Sequence, residues 1–334
     1  MKKPLTAALV VLCSLSLAGF VSGQSTVSST PAQTQVAAAP QVVIPREKME
    51  LIGVATVNKD GKKTSLMAVR STGGSVIRFY DLNGKLERSL SLPPEVMLSV
   101  RPALSPDGQW LAVALDPDQS SRESRVGVLS TSAPVYNVIF KDSGLQGTTT
   151  FAFNGSNTRL IIGNRNSYVQ TWDIQNSKRL NTVMGKGPVQ TIRFSPDGEL
   201  FVPYFAQGKD TVMVSANTGV VKGTLPGAFP GSARPLMGGM VFLGPGKVRS
   251  IVDGQLMPLP AFLIEGATPV SFDDDGQTVI VQLPRSLTFE RREVMTGEAS
   301  GGFTLKAPGA VQLSPDGRQA LVQNVSGDWE IKGL

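Results

Sequence analysis

The residues with the most chemical scope in this chain are aspartates and arginines, and their spacing limits what they could do. Asp107, Asp197 and Asp316 each stand before a glycine in the phrase Ser-Pro-Asp-Gly, and a run Asp273-Asp274-Asp275 precedes Gly276. Carboxylate oxygens could recruit Ca²⁺. Three adjacent aspartates cannot all converge on one ion, however, and the run sits in phase with the other turns, so no metal is expected. Arg70, Arg122, Arg125, Arg165, Lys209, Arg234 and Arg285 lie in or beside loops that differ from one another in sequence. Together they would form a cationic mouth for an acidic partner or an anionic polymer. Asp116, Asp118, Glu123 and Asp210 share those loops, which leaves an ordinary mixed surface as the alternative. Phe229, between Gly227 and Gly231, is either an aromatic anchor for a partner or a ring packed back onto its own unit.

What is missing narrows the chemistry further. The chain has no histidine, and its single cysteine, Cys13, lies in an apolar N-terminal stretch. Histidine-based acid–base catalysis, thiol nucleophiles, disulfides and ordinary zinc sites therefore have no residues to draw on. No cofactor is expected. An enzyme without histidine stays open as the least favoured reading.

The elements that must position these side chains announce themselves by repetition. An apolar residue, three mostly polar turn formers and then glycine or asparagine recur from Val57 to Gly61, Leu104 to Gly108, Phe153 to Asn157, Phe194 to Gly198, Phe242 to Gly246, Phe272 to Gly276 and Leu313 to Gly317. The mean spacing is about 43 residues, the size of one four-stranded propeller blade. In Ser-Pro-Asp-Gly the proline presets φ, the aspartate can bond the backbone ahead, and glycine accepts positive φ; Asn157 is the next best residue there. Two residues before each apolar anchor comes a second residue of the same strand face, from Ala55 to Val311, a period that favours strands. Between the two lies a mixed set: Thr56, Ala103, Ala152, Arg193, Val241, Ser271 and Gln312. Trp110, Trp172 and Trp329 are read as blade packing on different strands of their units.

Tyr168-Val-Gln-Thr-Trp172-Asp173-Ile174 resembles the strand ending in Trp-Asp of WD-repeat propellers, and Ile77 to Leu82 resembles its variant. The Ser-Pro-Asp-Gly turns are similar to those of TolB-like propellers of the bacterial envelope. The resemblance spans residues 42–334 as a repeat pattern. The Gly-His element that usually precedes Trp-Asp is absent, which favours the bacterial branch. The expectation is an all-β propeller of seven four-stranded blades, with residues near Gln41 to Ile44 supplying the outer strand of the last; six blades is the alternative, since the fifth unit is short.

Ahead of the propeller, Lys2, Lys3 and the apolar run from Leu5 to Val21 read as a secretory signal ending near Gly23. Its removal lowers the formal charge from +6 to +4, too little for nucleic acid binding. Residues 24–41 read as an uncharged flexible linker. No membrane span is expected in the mature chain, and a monomer is. The functional expectation is a non-catalytic exported scaffold that binds cell-envelope protein, with a glycan, peptide or small-ligand binder as the alternative. The candidate binding residues are the seven cations above and Phe229.

Overall fold

The computed structural model describes residues 42–43, 49–59, 61–117, 120, 123–244, 247–273 and 275–334. The proposed signal and linker, Arg122 and Asp274 lie outside them. The described chain forms seven sheets of four antiparallel strands, the seven-bladed propeller that the repeat predicts. Lettering the strands A to D from the innermost outward, blades one to six span residues 49–91, 103–141, 148–184, 189–225, 234–257 and 268–304. Blade seven takes strands A to C from 311–333 and its outer strand from Val42–Val43, which pair with Ile331 and Glu330. This is the N-terminal closure expected from the missing last strand.

The period of two explains why the ring closes. In blade two, Leu111, Val113 and Leu115 of strand B pack toward blade one, while Ala112 and Ala114 of the same strand pack toward blade three. Phe201 and Val202 divide in the same way between blades three and five, and Val279 and Ile280 between blades five and seven. The core is thus seven apolar clusters, one per neighbouring pair of blades. The last joins Met67, Val69 and Tyr80 of blade one to Leu321, Trp329 and Ile331 of blade seven. Each blade buries both faces only by having two neighbours. Polar links cross the same seams, as where Arg88 of blade one donates to Thr131 of blade two at 2.8 Å. The aromatic pair Phe140 and Trp172, 4.9 Å apart, bridges blades two and three.

The A–B turns carry the repeat phrase. In all three Ser-Pro-Asp-Gly copies the serine hydroxyl donates to the aspartate, at 2.6 Å for Asp107, 2.5 Å for Asp197 and 2.7 Å for Asp316. The same hydroxyl accepts the backbone N–H five residues on, which opens strand B. Gly108, Gly198, Gly276 and Gly317 lie at φ 66–69°, with Asn157 at 58° in the third copy. At Gly108 a Cβ would also stand 2.7 Å from Val57 Cγ1, so both conformation and space require glycine.

Two expectations need correction. Phe242 lies in strand B of blade five, Met240–Gly244, so the fifth copy of the phrase runs into the B–C hairpin and is not an A–B turn; Gly246 itself is outside the described residues. The true A–B turn there is Leu236 to Gly239, with Gly238 and Gly239 at φ 66° and 72°. Strand A of this blade has shrunk to Arg234–Pro235 and its turn opens with the apolar pair Leu236-Met237, so the polar turn signature is missing there, while strand B followed by Pro245-Gly246 imitates it. Trp172 and Trp329 both lie on strand C of their blades, where the sequence places them on different strands.

Candidate functional site

Strand order divides the loops into two sets. A–B and C–D turns share one rim, and B–C hairpins and D–A connections share the other. Ser71 to Gly74, Asp116 to Arg125, Asn164 to Ser167, Ala206 to Asp210 and Pro284 to Leu287 are B–C hairpins, and Gly227 to Ala233 is a D–A connection. Arg234 and Pro235 belong instead to the innermost strand.

On the hairpin rim the candidate residues fare differently. Arg70 is not a free cation. It is 2% exposed, and its Nε donates to Glu50 Oε2 at 2.8 Å. Arg101 stands on the other oxygen of Glu50 at 3.7 Å, and burial holds its pKa below the usual arginine value. Arg70 is therefore part of a packed ion cluster, because its position at the end of strand B faces the seam between blades one and two. Arg125 and Arg165 come from different blades and line one cavity of about 350 Å³. Arg125 Nε donates to the Asp116 carbonyl at 2.8 Å. Lys209 is exposed in its hairpin. Arg285 is exposed at a hairpin apex with φ 52°, a left-handed conformation in a non-glycine residue.

Phe229 is 53% exposed, and its ring meets Tyr204 edge-on at 5.6 Å and 78°. A Cβ on Gly231 would lie 2.4 Å from the same ring, so the glycine is what lets the chain double back beneath it. Phe229 is thus both braced by its own blade and presented to solvent.

Arg234 leads to a site the sequence does not mark. It lines a cavity of about 900 Å³ at the inner edges of the blades, and Arg193 of blade four lines it too. Arg193 Nη1 donates to the carbonyls of Gly231 at 3.0 Å and of Pro230 and Ala233 at 3.3 Å. Arg234 Nη1 donates to Ala233 at 3.2 Å and Gly231 at 3.4 Å. Burial first, and the charge of Arg234 second, push the Arg193 pKa down to about 10; burial also lowers that of Arg234. Two aspartates share the lining, and both are occupied: Asp197 by Ser195 at 2.5 Å and Asp273 by Thr278 Oγ1 at 2.7 Å.

The turn residues behave as the repeat predicts. Asp107, Asp197 and Asp316 hold their own turns, and Asp273 accepts the backbone N–H groups of Gln277 and Thr278. Asp173 of the Trp-Asp strand accepts from the Asn176 N–H at 2.9 Å and pairs with Arg159 at 3.1 Å.

No protein-family model matches the chain, and a search of curated proteins returns no match. Among the described residues, no helix is long and apolar enough to cross a membrane.

Proposed function

We propose that this chain is an exported, non-catalytic propeller, of the bacterial WD-repeat or TolB-like kind, that docks a protein of the cell envelope on its hairpin rim. The observation that carries the reading is the contrast between the Ser-Pro-Asp-Gly turns and the loops of the hairpin rim. In the Ser-Pro-Asp-Gly turns the serine and aspartate bond each other and cap the N–H groups of their own turn. The opposite rim presents a braced aromatic ring at Phe229 and exposed cations at Arg165, Lys209 and Arg285. An aromatic anchor and exposed cations on one rim suit a partner with an acidic surface. The N-terminal signal pattern supports export.

Photo-crosslinking residues placed at Phe229, Arg165 and Arg285, with Val135 and Met295 of the other rim as controls, test the reading in the native envelope. One acidic protein captured from the first three positions and lost in an Arg165→Glu, Arg285→Glu double variant of unchanged thermal midpoint is the expected result. Equal capture from both rims would remove the rim assignment.

A further inference from the structure

The register of blade five decides which residues share a level of the ring. Arg193 faces Val202 in the second strand pair above its A–B turn, and Arg234 faces Phe242 in the second pair above its own. The same position holds Ala103, Ala152, Ser271 and Gln312 in blades two, three, six and seven. Two guanidinium groups thus stand side by side on neighbouring innermost strands, at a level where the other blades place small or neutral residues.

Their surroundings make them a pair with donors to spare. Both direct Nη1 to the Gly231 and Ala233 carbonyls, which fixes the two planes against one backbone segment. A guanidinium has five N–H donors, so most of each fork is left over. Among the described residues neither arginine is ion-paired, and the two aspartates of the cavity are taken by their turns. Holding two like charges half-buried beside one another is unfavourable unless an anion joins them. The cavity of about 900 Å³ is of a size that accepts a small organic molecule, and Phe194, Phe272 and Phe289 give it an apolar wall.

We propose that Arg193 and Arg234 form an oxyanion-binding site inside the propeller channel, which takes a carboxylate or phosphate group borne on an apolar, preferably aromatic, body. The forks supply bidentate hydrogen bonds to the oxyanion and the phenylalanines cover the rest. The site is separate from the hairpin rim and stands or falls independently of the protein-docking reading.

Isothermal titration of the mature protein with phenyl phosphate and benzoate, against phenol and inorganic phosphate, tests it. Saturable binding of at least one aryl oxyanion is expected, weakening with salt, and reduced roughly tenfold or more in Arg193→Gln and Arg234→Gln. Phenol is expected not to bind. If the arginines only brace the 230–233 segment, both variants lose thermal stability and the probes bind neither variant nor parent. Should Arg193→Gln fail to fold, Arg234→Lys keeps the charge, removes the fork, and is expected to weaken aryl phosphate binding in a folded protein. No saturable binding of either aryl oxyanion, or binding untouched by both glutamine variants, overturns the site; inorganic phosphate binding as tightly as phenyl phosphate overturns its apolar half.

Discussion

Ser105, Asn154 and Asp273 occupy one position of the repeat and meet one demand with different atoms. The demand is to cap the backbone N–H groups that open strand B. Ser105 shares the work with Asp107, whereas Asn154 does it alone: its Oδ1 accepts from Thr158 and Arg159, both at 2.9 Å, and its Nδ2 reaches Asn217 of the next blade at 3.1 Å. Asn154 is 1% exposed. Asn154→Ala strands two backbone donors and is expected to cost about 2–3 kcal/mol in denaturant unfolding. Asp197→Ala, which leaves the Ser195 bond to Leu200 in place, is expected to cost about 1 kcal/mol. A second residue-scale outcome concerns acid. Hydrogen bonds from Asn176, above all its backbone N–H, hold the Asp173 carboxyl below its ordinary value of 3.8. A carboxyl depressed in the folded state adds stability above that ordinary value, and the contribution is lost as pH falls through the folded one. Asp173→Asn should therefore flatten the acid limb of the stability profile below about pH 4 and leave its shape near neutrality unchanged.

At the scale of the element, glycine separates two costs that usually come together. Gly61 and Gly108 are both left-handed, at φ 77° and 69°, but a Cβ at Gly61 meets nothing within 4 Å while one at Gly108 strikes Val57. Gly61→Ala is expected to cost about 1 kcal/mol from conformation alone, and Gly108→Ala about 2–3 kcal/mol because Val57 must also move. Similar losses for the two would mean that packing at the seam of blades one and two adjusts freely. The same scale explains how far the sequence could be read. Turn chemistry and the period of two are local, so the blade count, the four-strand unit and the closing strand are legible in Ser-Pro-Asp-Gly and its variants. The inner cation pair is not. Arg193 stands in the mixed set between the strand-face residues, but with Phe242 taken as the fifth anchor its counterpart is Val241. Only the pairing of Arg234 with Phe242 reveals the second arginine. Arg70 misleads for a related reason, since nothing near it in sequence announces Glu50, twenty residues earlier.

At the scale of the whole molecule, seven seams hold seven blades, and the ring is not complete until the last seam is made. The seam between blades seven and one brings together residues more than two hundred positions apart, such as Met67 and Leu321. Its closure carries a large loop entropy that the other six seams do not. Deleting the chain through Val43 exposes the edge of strand C in blade seven at Trp329–Gly333. The expected outcome is a protein that still folds, melts at a lower temperature and self-associates through that edge, read by sedimentation velocity. A truncated protein that stays monomeric with an unchanged melting temperature would show that the outer pairing contributes nothing.

That pairing also decides how the molecule answers a pull. Tension applied through the N-terminal segment reaches the propeller at Val42 and Val43, and their two backbone partners, Ile331 and Glu330, take the load before any other blade does. The clasp is only two residue pairs long, so single-molecule pulling from the N-terminus is expected to show its release as a first, low-force step ahead of the unfolding of any blade.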